Sequence, residues 1–307
     1  MANARELKDR IASISETRKI TNAMYLISSS KVKQAKERLK NTEPFFFAMQ
    51  REISRILSFW PDIDHKYFDE RPEIPEEKRN IGLIVITADK GLSGAYNHNI
   101  LKKFSEIVDH NPGRYKLYVL GEVGRHYFAA NKDKYHVEVD MDFRYTVQDP
   151  TLHRSRNIAR RVIADFEDKK IDEVHIIYTK MESALSQSSE HLKLLPLHKT
   201  KFHSGPSALS ELPVVEFHSN DNLTFYPSAK DVIDSIAPTY INGIIYGCLV
   251  ESFCSEHNSR MLAMDHATDS ADSMLSDLNM SYNRVRQADI TQQIVEVAAG
   301  AAAQKRK

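Results

Sequence analysis

Cysteine is almost missing from this chain: 307 residues hold two, Cys248 and Cys254. They stand six apart in a helical pattern, cannot bridge each other there, and form no C-x-x-C. Neither a disulfide framework nor a zinc site is supported, and a reducing compartment fits. Net charge is missing as well. Lys plus Arg and Asp plus Glu number 42 each, which argues against a dedicated nucleic-acid binder. No apolar run reaches the roughly 18 residues of a membrane span. The opening MANARELKDRIASISETRKI is charged, lacks the apolar middle of a secretory signal, and carries acids that argue against a transit peptide.

The motifs of common chemistries are absent too. There is no G-x-x-x-x-G-K-[ST] or G-x-G-x-x-G to cradle a phosphate, and no H-x-x-x-H or H-E-x-x-H to hold a metal. His98 and His110 share one predicted helix without carboxylates at ligand spacing. The nearest approach to a catalytic motif is TADKGLSGAYN, Thr87 to Asn97. GLSGA sets Ser93 after Gly91, but Ala95 sits where a nucleophile elbow needs its second glycine. A serine hydrolase using Ser93 is one alternative; a capped turn entering a helix near Asn97 is the favoured reading. EHNSRM and MDHATD read as solvated helix faces. No catalytic residue, cofactor or metal ligand is therefore expected.

Three segments organise the chain, at 1–60, 78–226 and 228–307. The first has no glycine from Ala2 to Phe59. Its apolar residues recur at helical spacing as Leu7, Ile11, Ile14, then Ile20, Met24, Ile27, then Val32, Ala35, Leu39. Roughly 55 residues at about 1.5 Å each predict a rod on the order of 80 Å, with a kink expected at Pro44. In the middle segment NIGLIVIT, YKLYVLG and DEVHIIYTKM read as buried strands. NHNILKKFSEIVDH, EVGRHYFAANKDK and TLHRSRNIARRVIADFEDKK read as helices between them. That alternation predicts a Rossmann-like α/β domain with a largely parallel sheet. Leu197 to Pro213 reads as a loop.

The last segment opens at PSAKD, where Ser228 can cap and Asp231 favours the first turn. Pro238 is expected to interrupt it. Beyond, Val250, Cys254, His257, Met261, Met264, Thr268, Ala271, Leu275, Leu278, Tyr282 and Val285 step by fours and threes, the spacing of a coiled-coil seam. Charge selects its partner. Arg18, Lys19, Lys31, Lys33, Lys36, Arg38 and Lys40 face one acid, Glu37, within residues 18 to 40. Glu251, Glu256, Asp265, Asp269, Asp272 and Asp277 face one arginine, Arg260, within 251 to 280. The expected architecture is a long antiparallel coiled coil of the two terminal helices, with the α/β domain inserted between them. One stretch stays open on this reading: ITQQIVEVAAGAAAQKRK ends a helix in side chains too small to lock into a core, and could be a fraying tail.

Several stretches together resemble one family. KITNAMYLISSSKVKQAK (Lys19–Lys36), ITADKGLSGAYN, the run from YPSAKD to DSML, and YNRVRQADITQQIVEVAAGAAA are similar to the ATP synthase gamma subunit family, in that family's order. Lys90, Ser93 and Ala95 replace the family's arginine, cysteine and second glycine. The QKRK ending extends past the usual finish, and no cysteine pair in the α/β domain implies a thiol switch. The resemblance implies a non-catalytic rotor, the central stalk inside a head of three alpha and three beta subunits, with the epsilon subunit and the membrane c-ring as further partners. It places the chain peripherally at a bacterial inner membrane, on the cytoplasmic side. The small-residue end is then a bearing, since bulky side chains would interlock with a sleeve. Partner contacts are expected at Met24, Lys31, Lys33, Arg286, Gln287, Thr291, Gln292, Val295 and Ala299. A coiled-coil tether of unrelated assembly is the competing reading.

Overall fold

The computed structural model describes residues 4–111, 113–135, 137–183, 186–199 and 225–304. The predicted loop from 200 onward and the last three residues of QKRK lie outside the described residues. The chain divides into two compact units, Met1–Ser29 with Arg260–Lys307, and Ser30–Ser259. Two helices contribute to both, α1 (Ala4–Phe59) and α5 (Ala229–Gln304).

In the first unit the helices run antiparallel. Arg18 pairs with Asp272 at 3.2 Å, and the Thr21 and Thr268 hydroxyls lie 2.7 Å apart. The α5 seam is where the sequence spacing puts it: Met264 and Ala271 are buried, and Met261, Leu275, Leu278, Tyr282 and Val285 are the half-buried residues of their turns. The α1 seam differs from expectation. Leu7 is buried and Ile11 and Ile14 are half-buried, but Ile20 and Ile27 are 59% and 56% exposed, while Thr21 and Ser28 are buried. The heptad count from Leu7 passes through 18, 21, 25 and 28, so two isoleucines lie off the seam and two hydroxyls lie on it.

The second unit is built on a five-stranded sheet in the order β3-β2-β1-β4-β5. Its strands are β1 (Asn80–Ile86), β2 (Arg114–Leu120), β3 (Glu138–Val139), β4 (Glu173–Met181) and β5 (Gln187–Leu195). The first four are parallel, with Leu83 beside Leu117 and His175, and β5 runs antiparallel to β4. Alternate residues of the apolar strands feed two cores. Ile81, Leu83 and Val85 pack with α2 (Tyr96–His110) and α3 (Glu122–Tyr135) through Ile100, Phe104 and Phe128. Ile84 and Ile86 pack on the other face with α4 (Leu152–Glu167) and with parts of α1 and α5, through Ile158, Val162, Ile53, Ile56, Ile233 and Ile241. Helices on both faces explain why β1 reads as an unbroken apolar run.

Local chemistry sets the boundaries. Thr151 Oγ1 accepts the Arg154 N–H at 3.2 Å and caps α4, and Ser228 Oγ accepts the Asp231 N–H at 3.2 Å and caps α5. Gly121 turns β2 into α3 at φ +90°; a Cβ there would lie 2.3 Å from the Thr87 carbonyl oxygen. The interruption expected at Pro238 does not occur. Helix α5 continues through it, and α1 continues through Pro44. An interior proline costs about 3 kcal/mol, and burial of Ile233, Ala237, Ile241 and Ile245 around Pro238 offsets that. The segment between α1 and β1 is anchored by Arg71, which donates to Asp172 at 2.7 Å and to the Phe166 and Ile171 carbonyls at 2.8 and 2.9 Å.

Candidate functional site

In an open α/β sheet the usual ligand crevice lies beyond the carboxyl ends of the strands, where the strand order reverses. Here that point is between β1 and β4. Its polar groups are consumed by the chain itself. Thr87 Oγ1 donates to the Leu120 carbonyl at 2.8 Å and accepts the Gly124 N–H at 2.9 Å. Asn97 Oδ1 accepts the Ala88 N–H at 2.9 Å. The Asp89 carboxylate accepts from the Glu122 and Val147 amides and from the Thr146 hydroxyl. An anion would find no cluster of spare N–H groups among these.

The Ser93 alternative fares no better. Ser93 is 2% exposed, and its Oγ lies 3.5 Å from the Asn97 amide nitrogen rather than beside a histidine. The turn also enters α2 through Ala95 without a side-chain cap, so Asn97 closes it by reaching back to Ala88. Burial, then the negative charge of Glu251, pushes the Cys254 thiol up to about 12 and the Cys248 thiol up as well, so both are poor nucleophiles. Among the described residues no group of three metal-ligating side chains exists, and no helix is long and apolar enough to cross a membrane.

One expected solvated face is buried. Glu256, His257, Asn258, Ser259 and Arg260 are each 6–8% exposed. Within the second unit, the neighbouring hydroxyls of α5 and Ser259 itself form a polar ridge that meets the end of β4 and β5. Ser252 Oγ accepts the Thr179 N–H, Ser255 Oγ donates to the Thr179 carbonyl, and Gln187 Nε2 donates to Ser259 Oγ at 2.6 Å. Glu251 accepts the Met181 N–H at 3.3 Å. Sequence pattern could not distinguish this ridge from a wet surface, because hydroxyls suit both. The MDHATD face is largely open, with Asp265, His266 and Asp269 exposed and Met264 buried.

Much of the exposed surface is apolar. Among the described residues, nine of the fourteen exposed large apolar side chains belong to the first unit: Ile20, Leu26, Ile27, Met274, Met280, Ile290, Ile294, Val295 and Val297. Exposed apolar surface concentrated in this way is typical of interaction sites. Every residue from Arg286 to Ala301 is exposed, with Val295 at 59% and Val297 at 73%. Arg286, Gln287, Thr291, Gln292, Val295 and Ala299 therefore share one open stretch of α5. Thr291 donates to the Gln287 carbonyl at 2.9 Å and Gln292 to Glu296 at 2.9 Å, so these side chains hold their own helix. Met24 is half-buried. In the second unit Lys33 is exposed, while Lys31 lies over the Phe253 ring at 6.0 Å. The outward set Ile20, Leu26, Ile27, Met274 and Met280 was missed by sequence reasoning; the only available signal was their offset from a strict heptad count.

Comparison with known proteins points the same way. A model of the ATP synthase family matches residues 3–304. The ATP synthase gamma chain of Ruminiclostridium cellulolyticum is 42% identical over 98% of both chains. That of Caldanaerobacter subterraneus is 42% identical over 97% of this chain and 98% of its own. Among solved structures, the central stalk and c-ring of the Tetrahymena thermophila mitochondrial ATP synthase yields a match with TM-score 0.54 at 22% identity, covering 81% of this chain and 99% of that one. A chain of the Euglena gracilis mitochondrial enzyme matches with TM-score 0.53 at 16% identity, over 92% and 95%. The structural matches speak to the fold, and identity sustained over nearly the whole length decides the kinship: the chain belongs to the ATP synthase gamma chain family.

Proposed function

We propose that the chain works as the central stalk of a rotary ATP synthase, with 1–60 and 228–307 as the shaft and 78–226 as the body. The observation that carries this is the end of α5, sixteen residues from Arg286 to Ala301 that are exposed throughout and largely small or apolar. Such a helix needs a sleeve to remove its apolar surface from water. Its Ala, Gly and Val side chains allow contact without interlocking, so no single angle becomes a deep trap.

In this reading, ion flow turns a membrane c-ring, the body turns with it, and the shaft deforms three catalytic beta subunits in sequence within a head of three alpha and three beta. Arg286, Gln287, Thr291 and Gln292 meet beta-subunit loops, Val295 and Ala299 form the bearing, and Met24, Lys31 and Lys33 face acidic loops lower down. Contacts that differ between rotor angles are what let rotation bias the nucleotide sites, since uniform contacts would shift nothing. The chain itself hydrolyses nothing. The epsilon subunit completes the stalk, and the complex sits on the cytoplasmic face of a bacterial inner membrane.

The test is a native pull-down from solubilised membranes, with the tag at residues 204–207, which lie outside the described residues. The expected eluate holds one copy of this chain with three of each of two larger ATP-binding subunits. Recovery of the chain alone, or with unrelated proteins, overturns the stalk and favours the tether. ATP hydrolysis that tracks the purified chain overturns its non-catalytic role.

A further inference from the structure

Inside the second unit, α1, α5 and the β4–β5 edge of the sheet surround a cavity of about 110 Å³. Its wall is largely apolar and aromatic, with Phe46, Phe47, Tyr178, Leu192, Tyr240 and Ile244. The helices approach closely here, because Gly243 leaves room for the Phe46 ring: a Cβ at Gly243 would lie 2.2 Å from it. An apolar protein cavity of about 150 Å³ holds benzene, so this smaller space admits at most a single ring.

Three titratable groups that could pair with a ligand, Glu43, Lys193 and His198, reach the wall, and two of them are occupied. Lys193 Nζ pairs with Glu173 at 2.9 Å, and His198 Nδ1 lies 3.2 Å from Glu70 Oε1. Glu43 makes no hydrogen bond or ion pair among the described residues. Burial, then the negative charge of Glu251, pushes its carboxyl up from the ordinary glutamate range. A half-buried carboxylate with a like charge nearby gains from any cation that can reach it. The four aromatic rings in the wall favour a cation as well, through their negative faces. An anionic ligand would meet Glu43 unfavourably and find Lys193 already paired with Glu173.

We propose that this cavity is a binding site for a small primary arylalkyl ammonium ion, its ring among Phe46, Tyr178 and Tyr240 and its ammonium group on Glu43. The ligand touches α1, α5 and the sheet at once, and it is distinct from the partner-binding role of the first unit. One ring is the most the volume admits, and a fused pair of rings exceeds it.

Isothermal titration of the full-length chain with 2-phenylethylammonium chloride tests this. One saturable site is expected, weakened at least tenfold by Glu43→Gln, which preserves shape and does not lower the thermal midpoint, because it removes a carboxylate that burial and Glu251 disfavour. A naphthyl analogue should bind at least tenfold more weakly than the phenyl compound. Ile244→Trp, or Leu192→Phe if the first variant does not fold, should abolish binding by filling the cavity. The proposal is overturned if no saturable binding is seen, if Glu43→Gln binds as the parent does, or if the filled variant still binds.

Discussion

The hydroxyls of Thr21 on α1 and Thr268 on α5 lie 2.7 Å apart, in hydrogen-bond contact across the helix pair of the first unit. Each also lies 2.9 Å from a carbonyl of its own helix, Arg18 for Thr21 and Met264 for Thr268. Two hydroxyl protons cannot fill three bonds. One threonine donates across the seam, and the other, having accepted, donates back to its own helix. A polar pair in an apolar seam favours one register, because sliding either helix leaves a hydroxyl facing hydrocarbon.

A double-mutant cycle reads that pair directly. Thr268→Val alone should cost about 1 kcal/mol, since it removes the cross-seam partner while Thr21 keeps its local carbonyl. Thr21→Val/Thr268→Val should recover part of the loss, because two matched apolar groups strand nothing. Melting midpoints of the four proteins supply the coupling energy, and strict additivity would show that the hydroxyls do not cooperate.

Removing Arg71 should be far more damaging. It is buried against Asp172, whose other oxygen accepts the Asn80 N–H at 2.8 Å at the start of β1. Breaking a buried pair from one side leaves an uncompensated charge, typically about 3–5 kcal/mol. Arg71→Met should therefore lower the urea midpoint of the second unit, followed by amide exchange of β1 and β4, by more than any exposed substitution does.

Acid should loosen the antiparallel edge of the sheet through His191. Burial, then the positive neighbours His175 and Lys103, holds it at about 4, against about 6.5 when unfolded. Between those values the unfolded chain binds a proton that the folded one does not, so stability rises with pH there and falls on acidification. His175 Nδ1 lies 2.8 Å from His191 Nε2, so an added charge on His191 meets that ring directly. His191→Gln should flatten the pH dependence of melting between pH 6.5 and 4. An unchanged slope would assign the acid sensitivity elsewhere.

Enlarging the bearing separates stability from function. Ala299→Leu and Val295→Trp change residues that are exposed in the chain, so melting of the isolated protein should move by less than about 0.5 kcal/mol. Turnover of the assembled head should fall severalfold, because larger side chains interlock with the sleeve. Unaltered turnover with full assembly would show that the sleeve does not grip this stretch.

Much of the fold was legible because periodicity survives any environment. The strands β1, β2 and β4 each carry a strong apolar stretch, the helices between them carry one apolar stripe each, and the α5 seam keeps its fours and threes from Met261 to Val285. The misreadings share one cause. Thr21 and Ser28 lie in the seam while Ile20 and Ile27 face out, and a count that follows hydrophobicity alone cannot see a polar seam. The strand β5 (QSSEHLKLL) is mixed in polarity and was passed over; it forms because β4 offers it an open edge. The polar residue types of 256–260 read as solvent-facing, yet all five are buried, and Gln187 gives Ser259 a partner that no local pattern reveals.

The sequence by itself determined the helices α1 to α5 and the strands β1, β2 and β4, the absence of phosphate- and metal-binding motifs, and the family. These depend on period, length and residue type, which are properties of the chain read in one dimension. Tertiary structure decided which residues of a helix face inward when polar and apolar compete, whether Pro238 breaks a helix, and that Glu43 stands unpaired beside an aromatic cavity. Those outcomes turn on which groups arrive opposite one another across large sequence separations, and a buried hydroxyl or a lone carboxylate has no local signature until its neighbours are in place.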